Sequence, residues 1–303
     1  MEEDGQMTDP KMMAQMVGGA GFIAALDQSG GSTPGALKAY GFAEADFATE
    51  EQMFERIHEM RVRIITAPSF NGRKVIAAIL FEKTMDGLAN GVPVPTALWQ
   101  RGVVPFLKMD KGLEAETDGV QMMKPIPGLD DLLARAVKLG VFGTKMRSVI
   151  KAPNAKGIAA IVKQQFELAE QILAHGLIPI IEPEVLIKSP NREAIEDILR
   201  DELTKALDAM TGDKRVMLKL SIPAKADLYA PLIGHMRVIR VVALSGGFPR
   251  PEACEHLTHN HGMIASFSRA LLEDLRHQQS DAEFDQTLSA AIDEIYTASV
   301  VKA

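Results

Sequence analysis

The chain of 303 residues has a single cysteine, Cys254, so no internal disulfide can form. That excludes a disulfide-stapled secreted fold and points to an intracellular, cytoplasmic protein. Cys254 itself reads as a small buried hydrophobe rather than a catalytic thiol. Basic charge is not in excess either: 33 Lys and Arg face 40 Asp and Glu, a net charge of −7. Nonspecific nucleic-acid binding needs a basic field, so no nucleic-acid partner is expected. No uninterrupted apolar run is long enough to span a bilayer, and the start, MEEDGQMTD, lacks an apolar signal core. No membrane partner is expected. GxGxxG and Walker A patterns are missing, so nothing points to a bound nucleotide. There is no Pro/Gly/Ser linker or low-complexity tract. Residues 1–303 therefore read as one domain, with the first ~20 residues and a C-terminal helix as extensions.

What is present is alternation. Strand-like runs fall at 22–27, 75–81, 104–110, 142–149, 177–182, 215–221, 237–244 and 262–267. Their near-continuous Val, Ile and Leu content suits strands covered on both faces, as in parallel sheets. Helical periodicity lies between them. In 157–175, Ile158, Ile161, Val162, Ala169, Ile172 and Leu173 share a stripe, and Gly176 is placed to end it. In 191–210, Ile195, Leu199, Leu203 and Leu207 do the same, with Ser189 and Pro190 as cap and first turn. Segments 51–62, 129–139 and 280–296 also read as helices. The expected class is α/β, a (β/α)8 TIM barrel; a doubly wound open sheet is the alternative. The run ITAPSF at 65–70 is strand-like too and leaves the strand count open by one.

Polar groups gather at the C-terminal ends of these runs. Asp27 ends the first, Lys108 and Asp110 the third. Lys145 and Arg147 sit on the fourth, Glu182 and Glu184 on the fifth, Lys219 and Ser221 on the sixth, while Ser245 follows the seventh and Arg269 the eighth. Several are i, i+2 pairs, which strand alternation sends to one face. In a barrel that face is the lumen, and active sites form at that end. A lone pair of this kind is as readily a structural salt bridge; the same placement on most strands favours a site.

Two runs carry the chemistry: LIPIIEPEV and RVMLKLSIP each hold ionisable residues in an apolar segment, a costly placement unless they are paired, neutralised or used. Lysine is the nucleophile for carbonyls, and a glutamate can shuttle the protons an imine needs. Lys219 is the expected nucleophile, its free amine favoured by burial and by cationic Lys145. Glu182 is the expected acid/base, with Glu184 behind it and Asp27 as an orienting or proton-accepting group. The turn at Ser245, Gly246 and Gly247 can cradle a phosphate on its backbone N–H groups, with Arg269 beside it. SGGS, with Ser29 and Ser32, is a second anion candidate, and two such sites suit a bisphosphate. The histidines of HLTHNHG precede the eighth strand and should lie at the opposite barrel end; they read as a surface loop, with no metal assigned.

In order and spacing these segments resemble the class I, Schiff-base, fructose-1,6-bisphosphate aldolases, from about residue 20 to 270. AALDQSGGS resembles A-A-D-E-S-T-G, FLKMDKG resembles I-K-V-D-K-G, TKMR resembles A-K-W-R, and LIPIIEPEV closely resembles V-P-I-V-E-P-E. MLKLS resembles L-L-K-P-N, ALSGG resembles F-L-S-G-G, and FSRAL resembles F-S-Y-G-R-A-L. The resemblance implies Lys219 as Schiff-base lysine, Glu182 as proton-transfer glutamate, and Ser245–Gly247 with Arg269 on the ketone-side phosphate. Lys108 with Ser29 and Ser32 would hold the far phosphate, and Lys145 would balance charge. It implies a sugar-phosphate substrate, no cofactor and no metal, and admits a homo-oligomer, since animal members are tetramers. The chain departs from the animal pattern at Gln28, where a glutamate stands, and at Met146, where a tryptophan stands. The FSRAL arginine comes two residues early, and Tyr296 lies several residues from the end rather than closing a mobile tail. The chain looks like the shorter bacterial branch. Another Schiff-base aldolase, a transaldolase, or a catalytically silent sugar-phosphate-binding protein shares parts of this pattern.

Overall fold

The computed structural model describes residues 9–29, 31 and 33–303; Ser32 lies outside the described residues. Eight strands form the frame: β1 Phe22–Leu26, β2 Val75–Leu80, β3 Val104–Lys108, β4 Gly143–Ile150, β5 Ile178–Val185, β6 Val216–Ser221, β7 Val238–Leu244 and β8 Ile264–Phe267. Each pairs in parallel with the next, β8 pairs with β1, and β3 pairs with β4, so the sheet closes into a (β/α)8 TIM barrel. A two-residue strand, Val120–Gln121, runs antiparallel along the far end of β4.

Helices return the chain between strands: α2 Glu50–Thr66, α3 Val94–Gln100, α4 Leu129–Lys138, α5 Ala155–Ala174, α6 Arg192–Asp208, the single turn α7 Ala230–Ile233, and α8 Arg250–Thr258. The helix α9 Asp281–Val300 follows β8, and α1 Pro10–Gly18 precedes β1. Their starts are capped as the sequence dictates. Asp9 accepts from the N–H groups of Lys11 and Met12 at the head of α1, Asn154 accepts from Gly157 N, and Ser280 with Glu283 forms a capping box on α9.

The apolar interior has two parts. One lies between strands and helices, where the periodic faces of α2, α5 and α6 meet the outward strand residues. The other fills the lower lumen with Ile23, Ile76, Phe106, Ile180, Met217 and Ile264, plugged at the N-terminal mouth by Met12 and Met16 of α1. Gln15 fixes that plug, donating to the carbonyls of Ile76 at 2.6 Å and Gly102 at 2.7 Å. Glycine at 143 lets Phe106 occupy the lumen, since a Cβ there would stand 2.7 Å from its ring. Truncating such a fully buried phenylalanine costs about 3–5 kcal/mol. Above this filled floor the lumen opens at the C-terminal end.

Three local expectations are corrected. ITAPSF is not a strand: Ile65 and Thr66 complete α2, where the Thr66 hydroxyl back-bonds to Val62 O at 2.8 Å, and Pro68 cannot continue the helix. Ser189 and Pro190 do not begin α6, whose N-cap is Asn191; the Ser189 hydroxyl instead donates to Lys151 O. The last helix runs four residues beyond the expected end. Polar residues also enter two of the apolar stripes: Gln165 on α5 and Glu196 on α6 are fully buried.

Candidate active site

The strand ends converge as alternation requires. Asp27 just past β1, Lys108 ending β3, Asp110 two residues on, Lys145 and Arg147 on β4, Glu182 and Glu184 on β5, and Lys219 on β6 all line one cavity of about 990 Å³. Ser29, Ser245, Gly246 and Arg269 line it too, with Gly247 against Arg269. Lower lumen positions on these strands are apolar and the top positions are charged, so the site sits directly on the core.

At its base is a buried charge cluster. Lys219 Nζ lies 3.1 Å from Glu182 Oε1, and Lys145 Nζ lies 3.0 Å from Glu182 Oε2. Lys145 also meets Asp27 Oδ2 at 2.6 Å and Asp110 Oδ2 at 4.0 Å. Lys145, Glu182 and Lys219 are each no more than 4% exposed. The Glu182 contacts are ion pairs rather than aligned hydrogen bonds, and its Oε2 accepts no hydrogen bond in the described structure. Burial alone would raise the Asp27 carboxyl, but Lys145 and then Lys219 outweigh it and hold it well below the usual carboxylate range. Burial alone would free the Lys145 amine; Asp27, Glu182 and Asp110 outweigh it, and Lys145 is pushed well above the usual lysine value. Lys145 is therefore a fixed cation set among three carboxylates.

Further up the wall the charges are paired off. Lys108 Nζ meets Asp110 Oδ1 at 2.7 Å, and Arg147 Nε meets Glu184 Oε2 at 2.5 Å. Glu184 thus faces Arg147, while Glu182 has the lysine contact. Lys111, also on the wall, pairs with Glu82. Arg269 makes no ion pair among the described residues. It reaches Gly247, where a Cβ would stand 3.3 Å from its Nη2. Gly246 and Gly247 both have positive φ, 62° and 112°, a turned backbone that glycine adopts without strain. Among the described residues, this corner holds a cavity cation without a carboxylate partner.

Some site residues escaped the sequence reading. Ser266 and Ser268 line the cavity at the end of β8; the i, i+2 rule that found the other pairs would have found them. Gln28 Nε2 donates to Ser268 Oγ at 2.6 Å, tying the end of β1 to the segment that carries Arg269. Arg61 on α2 is fully buried behind this corner, donating to Thr84 Oγ1 at 2.8 Å and to the Gln28 carbonyl. Burial pushes its guanidinium down to about 10, against the opposing pull of Asp27. Its signal was an arginine inside the apolar stripe Ile57, Met60, Ile64.

Other candidates lie elsewhere. His256 is on α8 rather than in a loop, and His261 pairs with Asp227 at 3.0 Å in the turn that leads into β8, at the opposite barrel end. Among the described residues no three His, Cys, Asp or Glu side chains are grouped to hold a metal ion. Tyr296 is on α9 with Lys74 Nζ 5.8 Å from its ring, outside the cavity lining. Cys254 is buried on α8. No described helix is long and apolar enough to cross a membrane.

The likenesses to solved structures fit this frame. A fructose-bisphosphate aldolase from Plasmodium falciparum, solved with TRAP and a small-molecule inhibitor, superposes at a TM-score of 0.79 with 19% identity over 100% of both chains. A Corynebacterium glutamicum structural-genomics target superposes at 0.57 with 16% identity, over 96% of this chain and 92% of that one. At such identities these matches speak for the barrel. The family model for fructose-bisphosphate aldolase class-I matches residues 13–220, a span that runs from the lumen plug through Lys219. The chain therefore belongs to the class-I fructose-bisphosphate aldolase family, the lyases of this barrel that act on sugar phosphates.

Proposed function

We propose that the chain catalyses reversible cleavage of fructose 1,6-bisphosphate to dihydroxyacetone phosphate and glyceraldehyde 3-phosphate, through an imine on Lys219. The observation that carries this is the 3.1 Å contact between the buried Lys219 amine and Glu182, in a cavity whose rim holds the glycine turn and Arg269. Lys219 gives a proton to Glu182 and its free amine attacks the ketone carbon. Glu182 returns the proton to the carbinolamine hydroxyl, water leaves, and a protonated imine remains. Asp27, held as a carboxylate, takes the proton of the hydroxyl on the far carbon of the scissile bond, the carbon that becomes the aldehyde. That carbon–carbon bond breaks, the aldehyde departs, and the bonding pair moves into the imine to give an enamine. Protonation of the enamine carbon and hydrolysis release the ketone phosphate and restore the lysine. The imine is the electron sink, so no metal is assigned a step.

In this scheme Lys145 stays charged and keeps three carboxylates compatible with a second ammonium. Ser245, Gly246, Gly247 and Arg269 hold the ketone-side phosphate. Lys108, Arg147 and Ser29 face the far phosphate, Asp110 orients Lys108, and Glu184 orients Arg147. The whole chain acts as one barrel domain, placed in the cytoplasm on the strength of its lone cysteine, and a homo-oligomer is compatible with the family.

Borohydride added with dihydroxyacetone phosphate should trap one adduct, which peptide mapping places on Lys219. Absence of an adduct, or its abolition by EDTA, would sink the proposal. Lys219→Ala should lose essentially all turnover. A second reading, a Schiff-base aldolase for a ketose monophosphate, is favoured by one observation: Lys108, Arg147 and Lys111 are all engaged by carboxylates, whereas Arg269 is not. Comparing kcat/KM for fructose 1-phosphate and the bisphosphate separates the two.

A further inference from the structure

Glu182 and Lys219 are on adjacent strands, and the seam between those strands is short of hydrogen bonds. Registered pairs between β5 and β6 stop after Ile180↔Met217 and Ile181↔Leu218, whereas β5 pairs with β4 along its whole length, to Ile150↔Val185. The sequence explains the asymmetry. In a parallel ladder, alternate residues turn their N–H and C=O groups to opposite neighbours. The N–H groups of Ile178 and Leu186 donate toward β4, to Phe142 O and Ile150 O. Odd-numbered residues of β5 therefore face β6, and two of them, Pro179 and Pro183, have no N–H to give. Pro183 breaks the ladder one residue beyond Glu182, at the height of the reacting groups.

Ser221 spans the gap. Its hydroxyl donates to Val185 O at 2.7 Å and accepts from Val185 N at 3.0 Å, and the residue is 1% exposed. One side chain thus supplies both hydrogen bonds that a backbone pair would have made. Just beyond, the chain is tied to α6 instead: Arg192 donates to Ile222 O, and Glu196 accepts from Ala224 N at 2.8 Å. Ser221 is two residues from Lys219, and Val185 is three from Glu182.

We infer that Ser221 is a positioning residue. It bolts β6 to β5 above the proline break and so sets the distance between the Lys219 amine and the Glu182 carboxylate. Without the bolt, the strand ends on either side of Pro183 can part, and proton exchange between the two groups slows. Phosphate binding, which depends on β7, β8 and Arg269, is left in place. This inference rests on the Schiff-base reading above.

The test is a rapid-quench borohydride experiment with dihydroxyacetone phosphate, with steady-state kinetics beside it. Ser221→Ala should form the Lys219 adduct at least about tenfold more slowly but to the same final stoichiometry. KM should change less than about twofold, and the pH–rate profile should shift. Ser221→Thr, which keeps the hydroxyl, should stay within about threefold of wild type. An adduct forming in Ser221→Ala at the wild-type rate with the wild-type pH profile overturns the inference. So does a slower rate that is wholly a reduced adduct stoichiometry, the mark of lost folded enzyme. If Ser221→Ala does not fold, Ser221→Cys against Ser221→Thr decides: equal adduct rates overturn the inference, and a slower cysteine variant supports it. If wild type itself forms no adduct, the Schiff-base reading fails, which this separates from a failure of the positioning role.

Discussion

Lys145 and Lys219 hold opposite oxygens of one carboxylate, at 3.0 and 3.1 Å from Glu182. The two lysines differ in what else they touch. Lys145 has Asp27 and Asp110 behind it, while Lys219 has Glu182 as its ion-pair partner. One ammonium is thereby fixed by surplus negative charge, and the other faces the carboxylate that both share. The same residue type thus has two surroundings, and under the proposed mechanism it is a structural cation at one position and the nucleophile at the other.

Glu182→Gln keeps the shape of the site and removes the carboxylate proposed to carry the proton. Turnover should fall about 100-fold or more, with the adduct still forming on Lys219 but slowly. Phosphate affinity, measured by competition with inorganic phosphate, should change little. Wild-type adduct kinetics in this variant would remove Glu182 from the mechanism.

Lys145→Met leaves Asp27, Glu182 and Asp110 without their shared cation. Breaking a buried pair this way costs about 3–5 kcal/mol, seen as a lower Tm at neutral pH. The pH dependence has a definite sign. The lowered Asp27 carboxyl contributes stability that is present above its ordinary value of 3.8 and is lost as pH falls through the depressed value. The Tm gap between wild type and Lys145→Met should therefore narrow on acidification. A constant gap across pH would contradict the charge assignment.

Gly246→Ala tests the proposed anion-binding role of the glycine turn. The backbone there has a positive φ of 62°, and an added Cβ would stand 2.5 Å from Ile187 Cγ2, so an alanine is strained and either the turn or the Ile187 side chain must move. KM for the sugar phosphate should rise about tenfold with kcat changed less than threefold, and Arg269→Ala should act in the same direction. A kcat effect without a KM effect would place the phosphate elsewhere.

Burial pushes the Cys254 thiol up to about 12 from a reference value of 9.0. Native enzyme should react with a thiol reagent at pH 8 far more slowly than unfolded chain, where the thiolate is available. Between pH 9.0 and about 12 the native state binds more protons at this site than the unfolded state. Stability should accordingly fall with rising pH through that window, and Cys254→Ala should flatten the slope. Equal reactivity of native and unfolded chain would show the thiol to be open.

Much of the site was legible in the sequence because strand alternation is local. Charged residues at i and i+2 in apolar runs had to share a face, which placed Lys145 with Arg147 and Glu182 with Glu184. The eight strand runs were legible for the same reason: each is a continuous apolar segment bounded by polar turns. ITAPSF misled because Ile65 and Thr66 favour strands locally, while the stripe of α2 through Ile57, Met60 and Ile64 draws them into the helix. Arg61 and Glu196 each interrupt an apolar stripe, but what lets them be buried there was hidden, because their partners are distant in sequence, Thr84 and Gln28 for one and Ala224 for the other.

The amino-acid order by itself determined the barrel's periodicity, the face on which each charge lies and the glycine turn beside Arg269, since these depend on neighbours a few residues apart. It also determined where β5 lacks donors, because Pro179 and Pro183 carry no N–H. Only the tertiary structure decided which charge meets which. Closure of the sheet sets Asp27 from β1 and Glu182 from β5 around Lys145 from β4, and ion pairing depends on distances of a few ångströms across the lumen, which no spacing along the chain encodes.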